Sequence, residues 1–164
     1  MKALILTLSL LLSQGSVWAS DKTAASETAS ASQTANLENG VILKGYDPVS
    51  YFNAKGPAKG VSHIKTQVDG ITYLFASEDN KKEFLKDPKK YAPAYEGWCA
   101  TAVVKNIKYD IDPTNFKITD GRLFLFYRES GLFGGDAKPD WVKNEPESIK
   151  KADNNWPQVR ISKK

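Results

Sequence analysis

The chain reads as an α+β protein in which small antiparallel hairpins pack with short helices. Three observations carry that reading. Two Asp-Gly dipeptides each separate a pair of strand-like runs. Short helical stretches fill the intervals between and after them. Of the 18 aromatic residues, 17 fall in residues 37–164, enough to build a shared core. Side-chain periods of two and of 3.6, mixed along one chain and joined by tight hairpin turns, argue against a doubly wound parallel sheet.

The N-terminus comes first. Lys2 precedes an apolar run from Ala3 to Leu12, then small and polar residues and the triplet Val17-Trp18-Ala19. A charged start, a short apolar core and a small-residue end are the parts of a secretory signal peptide. Such a run is far shorter than the roughly 20 residues a membrane helix requires. Residues 1–19 are therefore expected to be cleaved after Ala19, leaving a protein that is exported, periplasmic or secreted, with no membrane span. The next 17 residues, 20–36, include 12 Ser, Thr or Ala and no aromatic. They bury too little to offset the entropy of ordering and are expected to form a disordered leader before a single domain over 37–164.

Within that domain, His63 to Val68 and Ile71 to Phe75 flank Asp69-Gly70, a pair suited to a type I′ turn because both central residues take positive φ. Alternation places Ile64, Val68, Ile71, Tyr73 and Phe75 on one face, and His63, Lys65, Gln67 and Thr72 on the other. Ser77 before Glu78-Asp79-Asn80 is an N-cap with acidic residues in the first turn, and Asp87-Pro88 ends that helix. Trp98 to Val104 is apolar on nearly every side and suits a short buried helix. The second hairpin runs from Phe116 to Thr119 and from Arg122 to Tyr127 around Asp120-Gly121. Its second strand is apolar on both faces and should be central or covered. Pro146 to Ala152 reads as a helix with Pro in its first turn, stopped by Trp156-Pro157. The two hairpins resemble each other, Asp-Gly-Ile-Thr-Tyr-Leu-Phe against Asp-Gly-Arg-Leu-Phe-Leu-Phe, 51 residues apart. A duplicated hairpin-helix unit and a coincidence of turn chemistry would each produce that likeness.

Composition narrows the chemistry. With one cysteine, one histidine and one methionine, a zinc finger, a Cys-x-x-Cys redox pair and a disulfide framework are all excluded. The methionine is Met1, which excludes a Met-rich copper carrier. The formal charge is +4, from 23 basic and 19 acidic residues. The lysines are dispersed, which describes a solvated surface and not a nucleic-acid footprint. Gly131-Leu132-Phe133-Gly134-Gly135 lacks the Gly-Lys-Ser/Thr ending of a phosphate loop. No catalytic triad and no defensible carboxylate pair can be proposed, so the reading leans away from an enzyme.

Several segments, in order, carry a resemblance: Gly45-Tyr46-Asp47-Pro48-Val49-Ser50-Tyr51-Phe52, Tyr73-Leu74-Phe75-Ala76-Ser77, Pro88 to Tyr95, Gly97-Trp98-Cys99-Ala100, and Lys151 to Pro157. Together they resemble the exported bacterial YHS domain-containing family. The resemblance implies a YHS-type, treble-clef-like core of the kind found beside copper and heavy-metal transporters, where metal binding is credited to cysteines. It also implies that Cys99 aligns with a position that some relatives fill with selenocysteine. This chain departs from the family pattern at Glu96-Gly97-Trp98, where relatives have a glycine pair before Tyr-Cys-Ala, and in what looks like a local insertion over Gly131 to Pro139.

Cys99 is therefore the residue on which function turns. It reads either as a buried core cysteine or as a working thiol. At a helix start near Gly97 it would sit in the first turn, where unpaired N–H groups favour thiolate. A thiolate serves metal ligation and nucleophilic chemistry alike. The candidate metal set is Cys99, His63 and Asp47, suited to copper or zinc. Against it, His63 shares a face with Lys65 and Gln67, and Asp47 before Pro48 is a natural turn-capping residue. The leading expectation is a small transition-metal-binding protein with a metal ion or an envelope protein as partner. The alternatives are a thiol redox protein with Cys99 as nucleophile and an interaction module without chemistry.

Overall fold

The computed structural model describes residues 30–131 and 134–163. The expected signal peptide and the start of the leader lie outside the described residues. Among the described residues six strands and six α-helices follow one another, with short 3-10 turns between some of them: α1 (Ala31–Thr34), β1 (Leu37–Glu38), β2 (Val41–Ile42), β3 (Val61–Val68), β4 (Ile71–Phe75), α2 (Glu78–Lys86), α3 (Pro88–Tyr91), α4 (Ala100–Val104), β5 (Asp112–Thr119), β6 (Arg122–Phe126), α5 (Lys138–Val142) and α6 (Glu145–Ile161). The strands form a four-stranded sheet in the order β1-β2-β4-β3 and a separate β5-β6 pair. The α+β expectation holds, and no helix among the described residues is long and apolar enough to cross a membrane.

Both hairpins form around their Asp-Gly turns. Asp69 and Gly70 have φ of 51° and 77°, and Asp120 and Gly121 have φ of 51° and 73°, the left-handed pair a type I′ turn needs. Each hairpin is also interrupted at the same place. Val61 pairs with Phe75 and regular pairing resumes at Lys65 with Leu74; Asp112 pairs with Phe126 and resumes at Phe116 with Leu125. Such bulges bend the strand and re-aim its side chains.

Strand β6 is covered on both faces, as its apolar run requires. Leu123 and Leu125 point into one core with Ile42, Tyr51, Tyr73, Phe75, Phe84 and Cys99, while Phe124 and Phe126 point into a second with Trp98, Val103, Trp141 and Val159. The helix after the first hairpin is capped as expected, Ser77 Oγ accepting the Asn80 N–H at 3.1 Å. Its Phe84 is fully buried against Tyr73 and Phe75, with ring centroids 4.6 and 5.2 Å away.

Two expectations need correction. The leader over 20–36 is not wholly a tether, because α1 and Asn36 are docked. The Thr34 carbonyl accepts the Trp98 indole N–H at 2.7 Å, Thr34 Oγ1 donates to Glu96 at 2.5 Å, and Asn36 Nδ2 donates to the Gly97 carbonyl at 3.1 Å. These contacts are specific hydrogen bonds made by small polar residues, so a composition-based entropy argument misses them. The C-terminal helix, expected to stop at Trp156-Pro157, continues through Pro157 to Ile161. A proline inside a helix costs about 3 kcal/mol through its missing N–H and its ring clash. Burial of Ala152 and Val159, packing of Trp156 and two bonds from Asn155 Nδ2 to the Val103 and Val104 carbonyls offset that cost.

Candidate functional site

Cys99 lies at the junction of the two cores and is 1% exposed. It does not sit inside the first turn of its helix. It is the N-cap of α4, which begins at Ala100 and runs for only five residues. Its backbone is fully engaged: the N–H donates to the Tyr109 carbonyl at 3.1 Å, and the carbonyl accepts from Ala102 and Val103 at 3.0 and 3.1 Å. The sulfur accepts the Tyr127 N–H at 3.3 Å. Burial pushes the thiol pKa up, and the amides of Tyr127, Ala102 and Thr101, which favour the thiolate, do not cancel that effect. The expected thiolate bias of a helix start is thus reversed, because desolvation outweighs the dipole of one short turn.

The thiol nevertheless borders space. Cys99, Thr101, Ala102, Ile107, Tyr109, Tyr127 and Ala137 line a largely apolar cavity of about 200 Å³, with Lys105 at its edge. Ile107 and Tyr109 are about half exposed. The Tyr109 ring meets the Tyr127 ring edge-on at 4.9 Å between centroids. The Tyr127 hydroxyl donates to Glu129, which pushes its pKa up to about 12.

The chain enters this site through a left-handed turn. Tyr95, Glu96 and Gly97 have φ of 52°, 50° and 82°. Left-handed backbone costs a non-glycine residue roughly 1–2 kcal/mol, so it persists only where the surroundings impose it. Here Tyr95 Oη donates to Asp153 at 2.9 Å, while the Glu96 carboxylate accepts from Thr34 at 2.5 Å and from Arg160 Nε at 2.8 Å.

Asp47 and His63 are elsewhere in role. Asp47 is fully buried and acts as a clasp: Oδ1 accepts the Val49 N–H at 2.9 Å, and Oδ2 accepts the Ala76 N–H at 2.8 Å and Asn80 Nδ2 at 2.6 Å. It ties the turn before Pro48 to the junction of β4 and α2, the capping role its sequence context suggested. His63 is exposed in the irregular part of β3, between the paired residues Val61 and Lys65. Among the described residues, no three of His, Cys, Asp and Glu come together in an arrangement that could hold a metal ion. The structure therefore does not assemble Cys99, His63 and Asp47 into one site. Sequence reasoning missed Tyr109, Tyr127 and Ala137 as neighbours of the thiol. The one signal present was the pair of apolar residues Ile107 and Tyr109 in an otherwise polar stretch.

The fold and the site define an α+β module with a single buried thiol beside a largely apolar cavity. The family model for the YHS domain matches residues 50–95, so the chain carries a YHS domain there. That span covers β3, β4, α2 and α3 and stops four residues short of Cys99. Neither curated proteins nor solved structures matched the chain.

Proposed function

We propose that this is an exported YHS-domain protein that carries a soft transition metal on a single cysteine ligand, Cys99. The observation that carries the reading is the placement of the thiol: it borders the cavity and already accepts an amide N–H, a bond that favours sulfur in its anionic form. A metal would displace the proton that burial otherwise keeps on the sulfur. Thiolate softness favours copper(I), which accepts low coordination numbers, over zinc, which calls for four ligands. The remaining donors would come from a small thiol or an envelope protein partner, since Asp47 is occupied as a clasp and His63 faces solvent. The periplasmic setting rests on the signal-peptide pattern of residues 1–19, and the metal reading draws on the resemblance to treble-clef-like YHS modules.

The raised thiol pKa disfavours the redox alternative, because peroxide and disulfide chemistry both begin from thiolate. The deciding experiment is metal analysis of purified protein after anaerobic exposure to copper(I) or zinc. Wild type and His63→Ala should retain close to one copper per chain, and Cys99→Ala none. Equal retention by Cys99→Ala would overturn the proposal, as would no retention by wild type.

A further inference from the structure

We infer that the chain is a tandem duplication, with a second, diverged copy of the YHS-type module over residues 93–148, and that Cys99 stands where the first copy, residues 41–91, has Asp47. The family match, residues 50–95, covers the first copy from Ser50 onward and ends just inside the start of the second. The likeness of the two hairpins in sequence is the smaller part of the case; the backbone repeats almost contact by contact.

Each copy opens with a parallel pairing, Val41 with Thr72 in the first and Pro93 with Leu123 in the second. Each then makes a left-handed turn of three residues: Leu43, Lys44 and Gly45 have φ of 58°, 51° and 80°, and Tyr95, Glu96 and Gly97 have 52°, 50° and 82°. In both turns the aromatic residue after the glycine donates its N–H to the carbonyl of the first residue at 3.0 Å, Tyr46 to Leu43 and Trp98 to Tyr95. Non-glycine residues rarely adopt positive φ, and two such triplets before Gly-aromatic-acceptor sequences are not explained by hairpin turn chemistry.

The next residue is Asp47 in one copy and Cys99 in the other. The Asp47 N–H donates to the Ala58 carbonyl at 2.9 Å and the Cys99 N–H to the Tyr109 carbonyl at 3.1 Å. Both side chains accept the N–H of the residue just beyond the second hairpin strand, Ala76 for Asp47 and Tyr127 for Cys99. Every Cα pairing of the first hairpin recurs in the second, 51 residues on, bulge included. The ring that covers each hairpin also corresponds: Phe84 packs on Tyr73 and Phe75, and Trp141 packs on Phe124 and Phe126 at 4.9 and 5.6 Å. The following N-caps, Asp87 and Asn144, share φ, ψ of −152°, 81° and −149°, 69°. Six extra residues between Tyr127 and Trp141 account for the change in spacing and coincide with the apparent insertion over Gly131 to Pro139.

The correspondence explains the cavity. In the first copy Asn80 reaches over and donates to Asp47. The position corresponding to Asn80 in the second copy is Ala137, whose methyl cannot make that bond, and Cys99 and Ala137 both line the space that remains. The second copy has thus exchanged an Asp–Asn clasp for a thiol beside a cavity. The site was specialised from a structural clasp, and the fold at Cys99 calls for an acceptor but not for sulfur.

The test is a swap of first-copy residues into the second, in the full chain, read by thermal unfolding. A carboxylate introduced at a 1% exposed position should ordinarily be ruinous. The duplication instead predicts that Cys99→Asp folds, and that adding Ala137→Asn raises Tm by about 2–6 °C in that background while giving no gain in wild type. Cys99→Ser reports whether the position accepts any substitution. Failure of Cys99→Asp to fold while Cys99→Ser folds would overturn the inference, as would an identical effect of Ala137→Asn in both backgrounds. This readout is folding alone, so it stands or falls separately from metal retention.

Discussion

Replacing Asp47 separates a structural clasp from a metal ligand. Its carboxyl group is fully buried and accepts three hydrogen bonds, from Val49 N–H, Ala76 N–H and Asn80 Nδ2. Asp47→Ala leaves three donors without their acceptor, the Val49 amide fully buried and the Ala76 amide and Asn80 Nδ2 part-buried. At about 1–3 kcal/mol for each orphaned buried group, and with partial relaxation or water entry, the loss should be about 3–5 kcal/mol. Asp47→Asn keeps the shape but turns one end into a donor. Facing Ala76 and Asn80 it would oppose two donors and facing Val49 only one, so it should choose the latter and lose about 1–3 kcal/mol. At about 2–4 °C per kcal/mol for a chain of this size, Tm should fall by about 10 °C for Ala and by about 5 °C for Asn. Circular dichroism melts and urea titrations followed by tryptophan fluorescence would measure both. A Tm within 2 °C of wild type for Asp47→Ala, at roughly that resolution, would refute the clasp. Retained stability with lost metal would return Asp47 to the ligand set.

Two further outcomes follow from the geometry. Gly60→Ala should destabilise by about 1–3 kcal/mol, because a Cβ there would lie 2.6 Å from the Leu74 carbonyl carbon and Cβ and 2.8 Å from the Phe75 nitrogen; unchanged urea midpoints would show that β4 can move away. Stability should also fall as pH drops through about 4. Asp153 is held below the ordinary carboxylate range by the Arg122 hydrogen bond, and Glu145 by bonds from Lys117, Thr119 and Trp141 that outweigh its burial. Both bind protons less readily folded than unfolded, so their contribution is complete above the unfolded pKa and is lost as pH falls through the depressed one. Melts between pH 7 and pH 3 should show the decline, with a shallower slope for Arg122→Gln; a flat or rising Tm would contradict it.

Where local rules act alone, the sequence was legible. Asp69-Gly70 and Asp120-Gly121 form type I′ turns because Asp and Gly tolerate the positive φ that a two-residue hairpin turn requires at both central positions. Ser77 caps α2, and the two-faced apolar run of β6 is covered on both sides. Pro157 and the polar residues near Thr34 misled because each is decided by partners far along the chain, Val103 and Val104 through Asn155 in one case and Glu96 to Trp98 in the other. The candidate metal set failed as a set for the same reason. Residue type suggests that Cys99, His63 and Asp47 can ligate, but only packing determines whether their side chains converge.

By itself the sequence determined the α+β class, the two hairpins and the single cysteine around which any soft-metal chemistry must be built, because turn propensity, side-chain alternation and composition are local properties. Tertiary structure alone decided that Cys99 is a buried acceptor for the Tyr127 amide, that it borders a cavity, and that it occupies the counterpart of the Asp47 position. Those properties depend on which backbone groups are brought within hydrogen-bond distance across some thirty residues of chain, and no short stretch of sequence encodes that distance.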